Sequence, residues 1–284
     1  LGPWGQAQDI ETATAGNSTE LNTSSQDGCP ILSPDGRSLY MASNRGGGHG
    51  GLDIWVAHRA DADQPFGDPV NLPEPINSAA NDFCPTPLRG NRLLFVSNRV
   101  VTGETCGMGD IYLTRDNPSP KHGWSTPQHL ACAPEGPNSS LDEQGPSLVE
   151  IDGAEQLFFS RSAPATPGPA VPGDIFVSHD FGPATEVSEL NSADNEVQPN
   201  VRKDGRELVF SSNHAYPGAQ GSQDIYVSTR ESTDDPWSAP ENVGTGVNTN
   251  ASETRPSLSW DAHTLLFGRA PGLPITSDIY ISTR

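Results

Sequence analysis

The sequence predicts an all-β protein that folds as a single five-bladed β-propeller with four strands in each blade. A tripeptide of Asp, Ile and an aromatic residue recurs five times, at intervals of 50 to 64 residues. Glycine (29) and proline (27) are frequent among the 284 residues, as expected of a chain with many short strands and turns. The sequence pattern that predicts the fourth strand of each blade is absent from the last repeat and occurs instead at the N-terminus. Repeats whose two ends complete one another in this way form a closed ring of blades.

Each repeat supplies three strands in a fixed order. An inner strand A contains a proline, and a turn of the Asp-Gly or Gly-Asn kind leads to an apolar strand B. A variable loop then leads to strand C, which carries the Asp-Ile-aromatic tripeptide. The prolines are Pro30, Pro85, Pro146, Pro199 and Pro256, and the tripeptides begin at Asp53, Asp110, Asp174, Asp224 and Asp278.

The fourth, outermost strand follows an aromatic residue and a proline or alanine three positions later, as at Phe66 and Pro69. Proline suits an outer strand because the free edge needs no backbone donor. The fifth repeat ends at Arg284 without this element, whereas Trp4 and Ala7 supply it at the other end of the chain. The predicted blades, all within one domain, are residues 16–75, 76–133, 134–189, 190–246, and 247–284 together with 1–15.

The charge of the chain excludes two classes of partner. Sixteen basic residues against 36 acidic ones give a net charge of −20. Such a field repels the phosphates of nucleic acid and of anionic membrane surfaces. No apolar stretch is long enough for a spanning helix, so we also expect no transmembrane segment.

Three motifs of the first repeat resemble a known repeat family. They are Ser-Pro-Asp-Gly at 33–36, Ser-Asn-Arg at 43–45 with a glycine-rich loop after it, and Asp-Ile-Trp at 53–55. Together they are similar to PD40 repeats, the WD40-like propeller repeats of TolB-type proteins. The resemblance implies a bacterial protein exported to the periplasm or beyond the cell, whose export signal would lie outside this sequence. It also implies a module that binds a saccharide, a peptide or an envelope protein.

A second repeated pattern lies at the start of strand A, where Asn-Ser or Asn-Thr precedes an acid three residues before the proline. Because strand A is innermost in a propeller, we expect these acids to ring one mouth of the central channel. Strand B ends on the same side with an arginine or histidine. The acids are Asp27, Asp82, Glu143, Glu196 and Glu253, and the matching residues of strand B are Arg45, Arg99, Arg161, His214 and Arg269.

Two interpretations of this ring remain open. Each acid could pair with an arginine and each Asn could cap a turn, as structural clamps repeated with the blade. Alternatively, some acids bind a calcium or other divalent cation or a polar ligand, or act as an acid and base pair. The corresponding functions are a non-enzymatic binding module and, as the alternative, a glycoside hydrolase or lyase. The enzyme requires two acids without arginine partners beside a pocket.

The copies of the repeat differ at the position before the proline, where polar groups could contact a ligand. Strand alternation predicts that this position shares a side with the acid. We therefore expect ligand contacts from Gln198 and Arg255, and from His49 and Tyr216 in the loops between strands B and C. The five copies are Cys29, Cys84, Gly145, Gln198 and Arg255.

The four cysteines have no C-x-x-C spacing, so zinc or thioredoxin chemistry is not indicated. An even number in an exported chain favours disulfides. We predict Cys29 with Cys84, at equivalent positions of adjacent blades, and Cys106 with Cys132; Cys84 with Cys106 is a competing pair. A free channel thiol acting as a nucleophile is the functional alternative, although no histidine is placed by the sequence to activate it.

Overall fold

The computed structural model describes residues 2–116, 123–163, 171–270 and 276–284. Within these ranges the chain forms twenty strands and one short helix. The strands are β1 (Gln8–Asp9), β2 (Asp27–Leu32), β3 (Ser38–Ser43), β4 (Asp53–His58), β5 (Val70–Asn71), β6 (Asp82–Leu88), β7 (Arg92–Ser97), β8 (Asp110–Arg115), β9 (Gln128–His129), β10 (Asp142–Ile151), β11 (Ala154–Ala163), β12 (Val171–His179), β13 (Ala184–Glu186), β14 (Glu196–Val201), β15 (Glu207–Ser212), β16 (Asp224–Thr229), β17 (Glu241–Asn242), β18 (Ser252–Leu258), β19 (Thr264–Ala270) and β20 (Asp278–Thr283). The helix is α1 (Ile10–Ala13).

These strands form five four-stranded antiparallel sheets within the described ranges, which confirms the predicted five-bladed propeller. Four sheets take consecutive strands, in the orders β2 to β5, β6 to β9, β10 to β13 and β14 to β17. The fifth has the order β18-β19-β20-β1. The first strand of the chain is therefore the outer strand of the last blade, as the displaced pattern predicts.

The closure is made by backbone pairing and by packing. Gln8 lies opposite Ile281 in the sheet, and the N–H of Gly5 donates to the carbonyl of Thr283 at 2.8 Å. Trp4 is buried, and the guanidinium of Arg284 lies 4.2 Å from the centre of its ring. The two ends of the chain thus hold each other in one blade.

The turns between strands A and B lie where the sequence predicts them. Each contains a residue with positive φ, which glycine, asparagine and aspartate tolerate best. Phe95 and Phe267 on strands B are fully buried and stack on the strand C aromatics Tyr112 and Tyr280, at 5.8 and 6.0 Å. The positive-φ residues of the turns are Gly36, Gly90, Asn91, Asp152, Gly153, Gly205 and Ala262.

Every strand A contains a β-bulge that the sequence analysis missed. The register shifts between Gly28 and Ile31 in the first blade and at the equivalent place in the other four. The residue before the proline has a φ of 48° to 58° in all five blades. A bulge breaks the alternation of side chains, so the prediction that this residue shares a side with the acid is wrong.

No helix in the described part of the chain has the length and apolar character needed to cross a membrane.

Candidate functional site

The five acids of strand A lie inside the blades and do not ring the channel mouth. Each is fully enclosed, with 0% of its surface exposed. The predicted placement fails because the bulge turns the next residues, and not the acid, toward the channel. Four acids pair with the arginine at the end of their own strand B, as Arg45–Asp27 (2.5 Å), Arg99–Asp82 (2.7 Å), Arg161–Glu143 (2.9 Å) and Arg269–Glu253 (2.8 Å).

Further contacts lock these pairs in place. The hydroxyl that follows each repeated Asn donates to the acid, as Ser78 does to Asp82 at 2.7 Å. The guanidinium also lies against the strand C aromatic, with Arg269 4.2 Å from the ring of Tyr280. The arrangement is that of a structural clamp repeated in the blades. The predicted binding of a ligand or of calcium by these acids stays a prediction, and their enclosure gives it no support.

The fourth blade uses a different clamp. His214 turns away from the acid, and its Nδ1 lies 2.8 Å from Asp194. Glu196 instead accepts from Ser212 at 2.7 Å and lies 3.5 Å from the hydroxyl of Tyr216. Tyr216 packs on the strand C aromatic Tyr226, with 5.0 Å between the ring centres. Burial, as the main cause, and the charge of Glu196, as the second, raise the pKa of Tyr216 to about 12.

Tyr216 therefore occupies the place of the missing arginine, and the prediction that it is a ligand-stacking residue has no support in this geometry. His49, the other predicted loop contact, is exposed. Its backbone N–H donates to Asp53 at 2.6 Å. Residues 164–170 and 271–275, in two of the other loops between strands B and C, lie outside the described residues.

The repeated Asn joins neighbouring blades and does not cap a turn. Asn77 accepts from the N–H of Ile54 at 2.8 Å and donates to the carbonyl of the same residue at 2.9 Å. Ile54 belongs to strand C of the preceding blade. The same pair of bonds recurs at Asn22, Asn138, Asn191 and Asn248.

The channel opens at the start of strands A into a cavity of about 570 Å³, here called the upper mouth. Its described lining contains amide and hydroxyl side chains, together with Arg255, and has no carboxylate. Neither Gln26 nor Gln223 uses its side-chain amide in a hydrogen bond to another described residue. The other polar groups are Gln144, Ser162, Asn195, Gln198, Ser222, Ser252, Thr254 and Ser277.

The channel narrows at the bulges to a cavity of about 40 Å³, here called the waist. The bulge residues Cys29, Cys84, Gly145, Gln198 and Arg255 line it, together with the prolines that follow them. A Cβ on Gly145 would lie 2.6 Å from the Cα of Gln198, so the ring of bulge residues is tight. Gln198 and Arg255 do reach the channel as expected. The Oε1 of Gln198 and the Nε of Arg255 are buried without a described hydrogen-bond partner.

The other end of the channel, beside the turns between strands A and B, is a cavity of about 480 Å³ that the sequence analysis missed. We call it the lower mouth. Arg89 and Lys203 lie 4.7 and 5.9 Å from the ring of Trp260 there. The sequence did contain a signal for this site, because Arg89 and Lys203 are basic residues at turns of a chain whose net charge is −20.

Of the predicted disulfides, Cys106–Cys132 is present, with 5.8 Å between the Cα atoms. Cys29 and Cys84 are buried and not bonded to each other. Cys106 also lies near His129 and Asp110, whose Nε2 and Oδ2 are 3.0 Å apart. Because its sulfur is bonded to Cys132, this group lacks the free thiolate that a metal would need.

These features define a five-bladed β-propeller whose channel has an upper mouth lined mainly by amide and hydroxyl groups and a lower mouth where Arg89 and Lys203 lie beside Trp260. No protein-family model matches the sequence, and no curated protein matches it. Its fold is similar to that of an α-L-arabinofuranosidase from Lactobacillus brevis, with a TM-score of 0.57 and 11% identity over 94% of this chain and 92% of that one.

Two further structures have the same fold. A GH43 endo-arabinanase from Bacillus licheniformis gives a TM-score of 0.51 and 14% identity, over 89% of this chain and 92% of that one. The exo-β-1,3-galactanase of Phanerochaete chrysosporium, determined with galactose, gives a TM-score of 0.56 and 11% identity, over 97% of this chain and 64% of that one. At these identities the likeness establishes the propeller fold alone.

Proposed function

We propose that this protein is an exported propeller that binds a saccharide at the upper mouth of its channel. The observation that carries the proposal is the amide and hydroxyl lining of that mouth. An amide side chain offers both a donor and an acceptor, which suits the hydroxyl groups of a sugar. A cavity of about 570 Å³ is within the range of small-molecule sites.

Two other considerations support a saccharide as the ligand class. The similar structures include proteins that their names describe as acting on arabinan and galactan. The upper mouth also has no described carboxylate, so its described lining offers a sugar mainly neutral donors and acceptors, with Arg255 as the one charged group. We prefer a saccharide to the peptide or envelope protein that the PD40 resemblance would also allow.

Calorimetric titration with arabino-, xylo- and galacto-oligosaccharides tests the proposal. We expect one of these series to bind, and the Gln26→Ala and Gln223→Ala variants to bind it about 3- to 10-fold more weakly, since each loses about one hydrogen bond. Gln128, an exposed glutamine on the outer strand β9, provides the matched control. Binding to none of the three series, or binding unchanged in both variants, would overturn the proposal.

Glycoside hydrolysis is the second candidate, and the structural comparisons favour it. Its best-supported residue is Glu143. Burial raises the pKa of Glu143 to about 7 against the opposing effects of Ser139 and Arg161, and its Oε2 has no described partner. A raised pKa suits a general acid. However, hydrolysis uses two carboxyl groups facing the glycosidic bond, and Glu143 is enclosed.

Release of reducing ends from arabinan, xylan and galactan separates the two candidates. Hydrolysis by the wild type that is lost in Glu143→Gln would establish the enzyme. Binding without hydrolysis would establish the binding module. Periplasmic or extracellular location remains part of the proposal and is tested by fractionating cells that express the full-length protein.

A further inference from the structure

The waist breaks the symmetry of the propeller at one junction. Around the ring of bulge residues, Cys29 of the first blade stands between Arg255 of the fifth and Cys84 of the second. The three side chains belong to three different blades. They occupy the same structural position of the repeat, where the other two copies carry Gly145 and Gln198.

The cysteines lie at a junction that lacks the usual polar contact between inner strands. The residue after the proline bonds to the next blade at the other four junctions. Ser257 donates to the carbonyl of Pro30 at 2.6 Å, and Thr86 donates to that of Pro146. Ser147 and Asn200 accept from the N–H groups of Val201 and Leu258 at 3.0 and 2.8 Å. Between the first and second blades the equivalent residue is Ile31, and the free, buried thiols of Cys29 and Cys84 lie in one core cluster and line the same cavity.

A glycine makes room for the guanidinium beside Cys29. A Cβ on Gly28 would lie 2.6 Å from Nη1 of Arg255. The equivalent positions in the other blades carry Phe83, Gln144, Val197 and Thr254. The Nε of Arg255 has no described partner. Gln198, only 8% exposed, lines the same cavity, and its buried Oε1 also has no described partner. Two buried polar atoms without partners indicate a place for a small polar molecule.

We propose that Cys29 and Cys84 form a peroxide-reactive dithiol at the waist, in which Cys29 attacks a small hydroperoxide and Cys84 converts the product into a disulfide between blades. The waist, at about 40 Å³, has room for a few water-sized molecules and none for a sugar. It shares Gln198 and Arg255 with the upper mouth and Thr86 and Asn200 with the lower mouth. A small oxidant therefore reaches it from either end.

The environment favours ionisation of one thiol and opposes ionisation of the other. Burial alone would raise the pKa of Cys29, but hydrogen bonds from Cys84 and the charge of Arg255 outweigh it and lower the pKa to about 7. The hydrogen bond to Cys29 raises the pKa of Cys84. These are the charged and titratable groups that face Cys29, from β6 and β18. The thiolate is the nucleophile in such chemistry.

The reaction balances in two steps. The Cys29 thiolate attacks one peroxide oxygen, the O–O bond breaks, a sulfenic acid forms on Cys29, and the departing alkoxide or hydroxide takes up a proton. The Cys84 sulfur then attacks the Cys29 sulfur, the S–S bond forms, the S–O bond breaks, and water leaves with the Cys84 proton. The two thiols lose two electrons, which the hydroperoxide gains.

Hydrogen peroxide on the purified protein, with Cys106–Cys132 intact, tests the proposal. Tryptic peptides 1–37 and 60–89 contain Cys29 and Cys84, whereas 100–115 and 122–161 contain the other pair. We expect peroxide to join the first two peptides and to abolish both free thiols. In Cys84→Ser, dimedone should trap a sulfenic acid on Cys29, whereas Cys29→Ser should not react. No linked peptide and no trapped sulfenic acid would overturn the proposal.

The pH dependence of alkylation tests the role of Arg255 without a cysteine substitution. In the wild type, the rate of iodoacetamide reaction at Cys29 should rise to half its maximum near pH 7. Arg255→Gln should slow it about tenfold at pH 7. Gly28→Ala should do the same by displacing the guanidinium, and Gly46→Ala, whose Cβ meets nothing within 4 Å, is its control. A wild-type profile centred near pH 9 would overturn the assignment of Cys29.

Discussion

The side-chain amide of Asn22 holds both backbone groups of Ile279, a residue 257 positions later in the chain. Ile279 donates its N–H to Oδ1 of Asn22 at 2.7 Å, and Nδ2 of Asn22 donates to the carbonyl of Ile279 at 3.2 Å. The same contact joins every blade to the one before it. At this junction it joins the two ends of the chain, so a local sequence motif closes the ring.

Replacing Asn22 should destabilise the closed ring. Asn22→Ala removes both hydrogen bonds to Ile279 and a third to Asp9, and it leaves the backbone of Ile279 without these partners, which should cost about 1–3 kcal/mol of unfolding free energy. Urea unfolding followed by tryptophan fluorescence measures it. Asn191→Ala, which breaks the equivalent contact between blades that are covalently consecutive, is the matched comparison. A loss below about 0.5 kcal/mol in Asn22→Ala would contradict the role of this contact.

The enclosed arginine clamps should matter far more for stability than exposed ion pairs. Arg99→Met leaves Asp82 charged and enclosed, which should cost about 3–5 kcal/mol. The pair Arg92–Glu155 is partly exposed, 22% and 21% for the two side chains. Arg92→Met should therefore cost only about 0–1 kcal/mol. Equal losses in the two variants would show that enclosure of the carboxylate is not the deciding factor.

The fold could be predicted from the sequence because every blade repeats its own signals. The tripeptides on strand C, the turn residues and the fixed prolines occur five times. The blade pattern can therefore be recognised even where one copy is atypical. The displaced outer strand at Trp4 then predicts closure. The Cys106–Cys132 bond was also among the predicted pairs, since Cys106 lies in the loop between strands B and C of the second blade and Cys132 lies near the end of its outer strand.

The geometry of the channel could not be predicted in the same way. Whether the acids face the mouth depends on a bulge whose positive φ is carried mostly by residues other than glycine, such as Cys29 and Gln198. Only Gly145 among the five copies signals that conformation. The lower mouth was missed for another reason, since Trp260 of the fifth blade and Arg89 of the second blade meet only when the ring forms.

Stability should depend on pH through Glu143. Its pKa is raised from 4.5 to about 7, mainly by burial, so the folded protein holds this proton more tightly than the unfolded chain. The resulting stability is fully present below pH 4.5 and is lost as the pH rises to 7 and above. Glu143→Gln should escape this loss. Its stability relative to the wild type should rise by roughly 3 kcal/mol between pH 4.5 and 8.

Urea midpoints of both proteins across that pH range measure the effect. Glu150→Gln, at an exposed position of the same strand, controls for the change in net charge. A difference between Glu143→Gln and the wild type that stays constant with pH would mean that Glu143 is ionised throughout the range.

The turns between strands A and B allow the stability cost of a positive φ to be measured separately from the cost of steric crowding. Gly36 and Gly205 occupy equivalent turns with φ of 70° and 69°. A Cβ on Gly36 meets nothing closer than 3.7 Å, whereas one on Gly205 would lie 2.4 Å from Cδ1 of Ile151. Gly36→Ala should therefore cost about 1 kcal/mol, from backbone strain alone. Gly205→Ala should cost at least about 1 kcal/mol more, because Ile151 of the neighbouring blade must move. Urea unfolding of the two variants measures the difference, and equal losses would mean that Ile151 adapts to the added methyl group without strain.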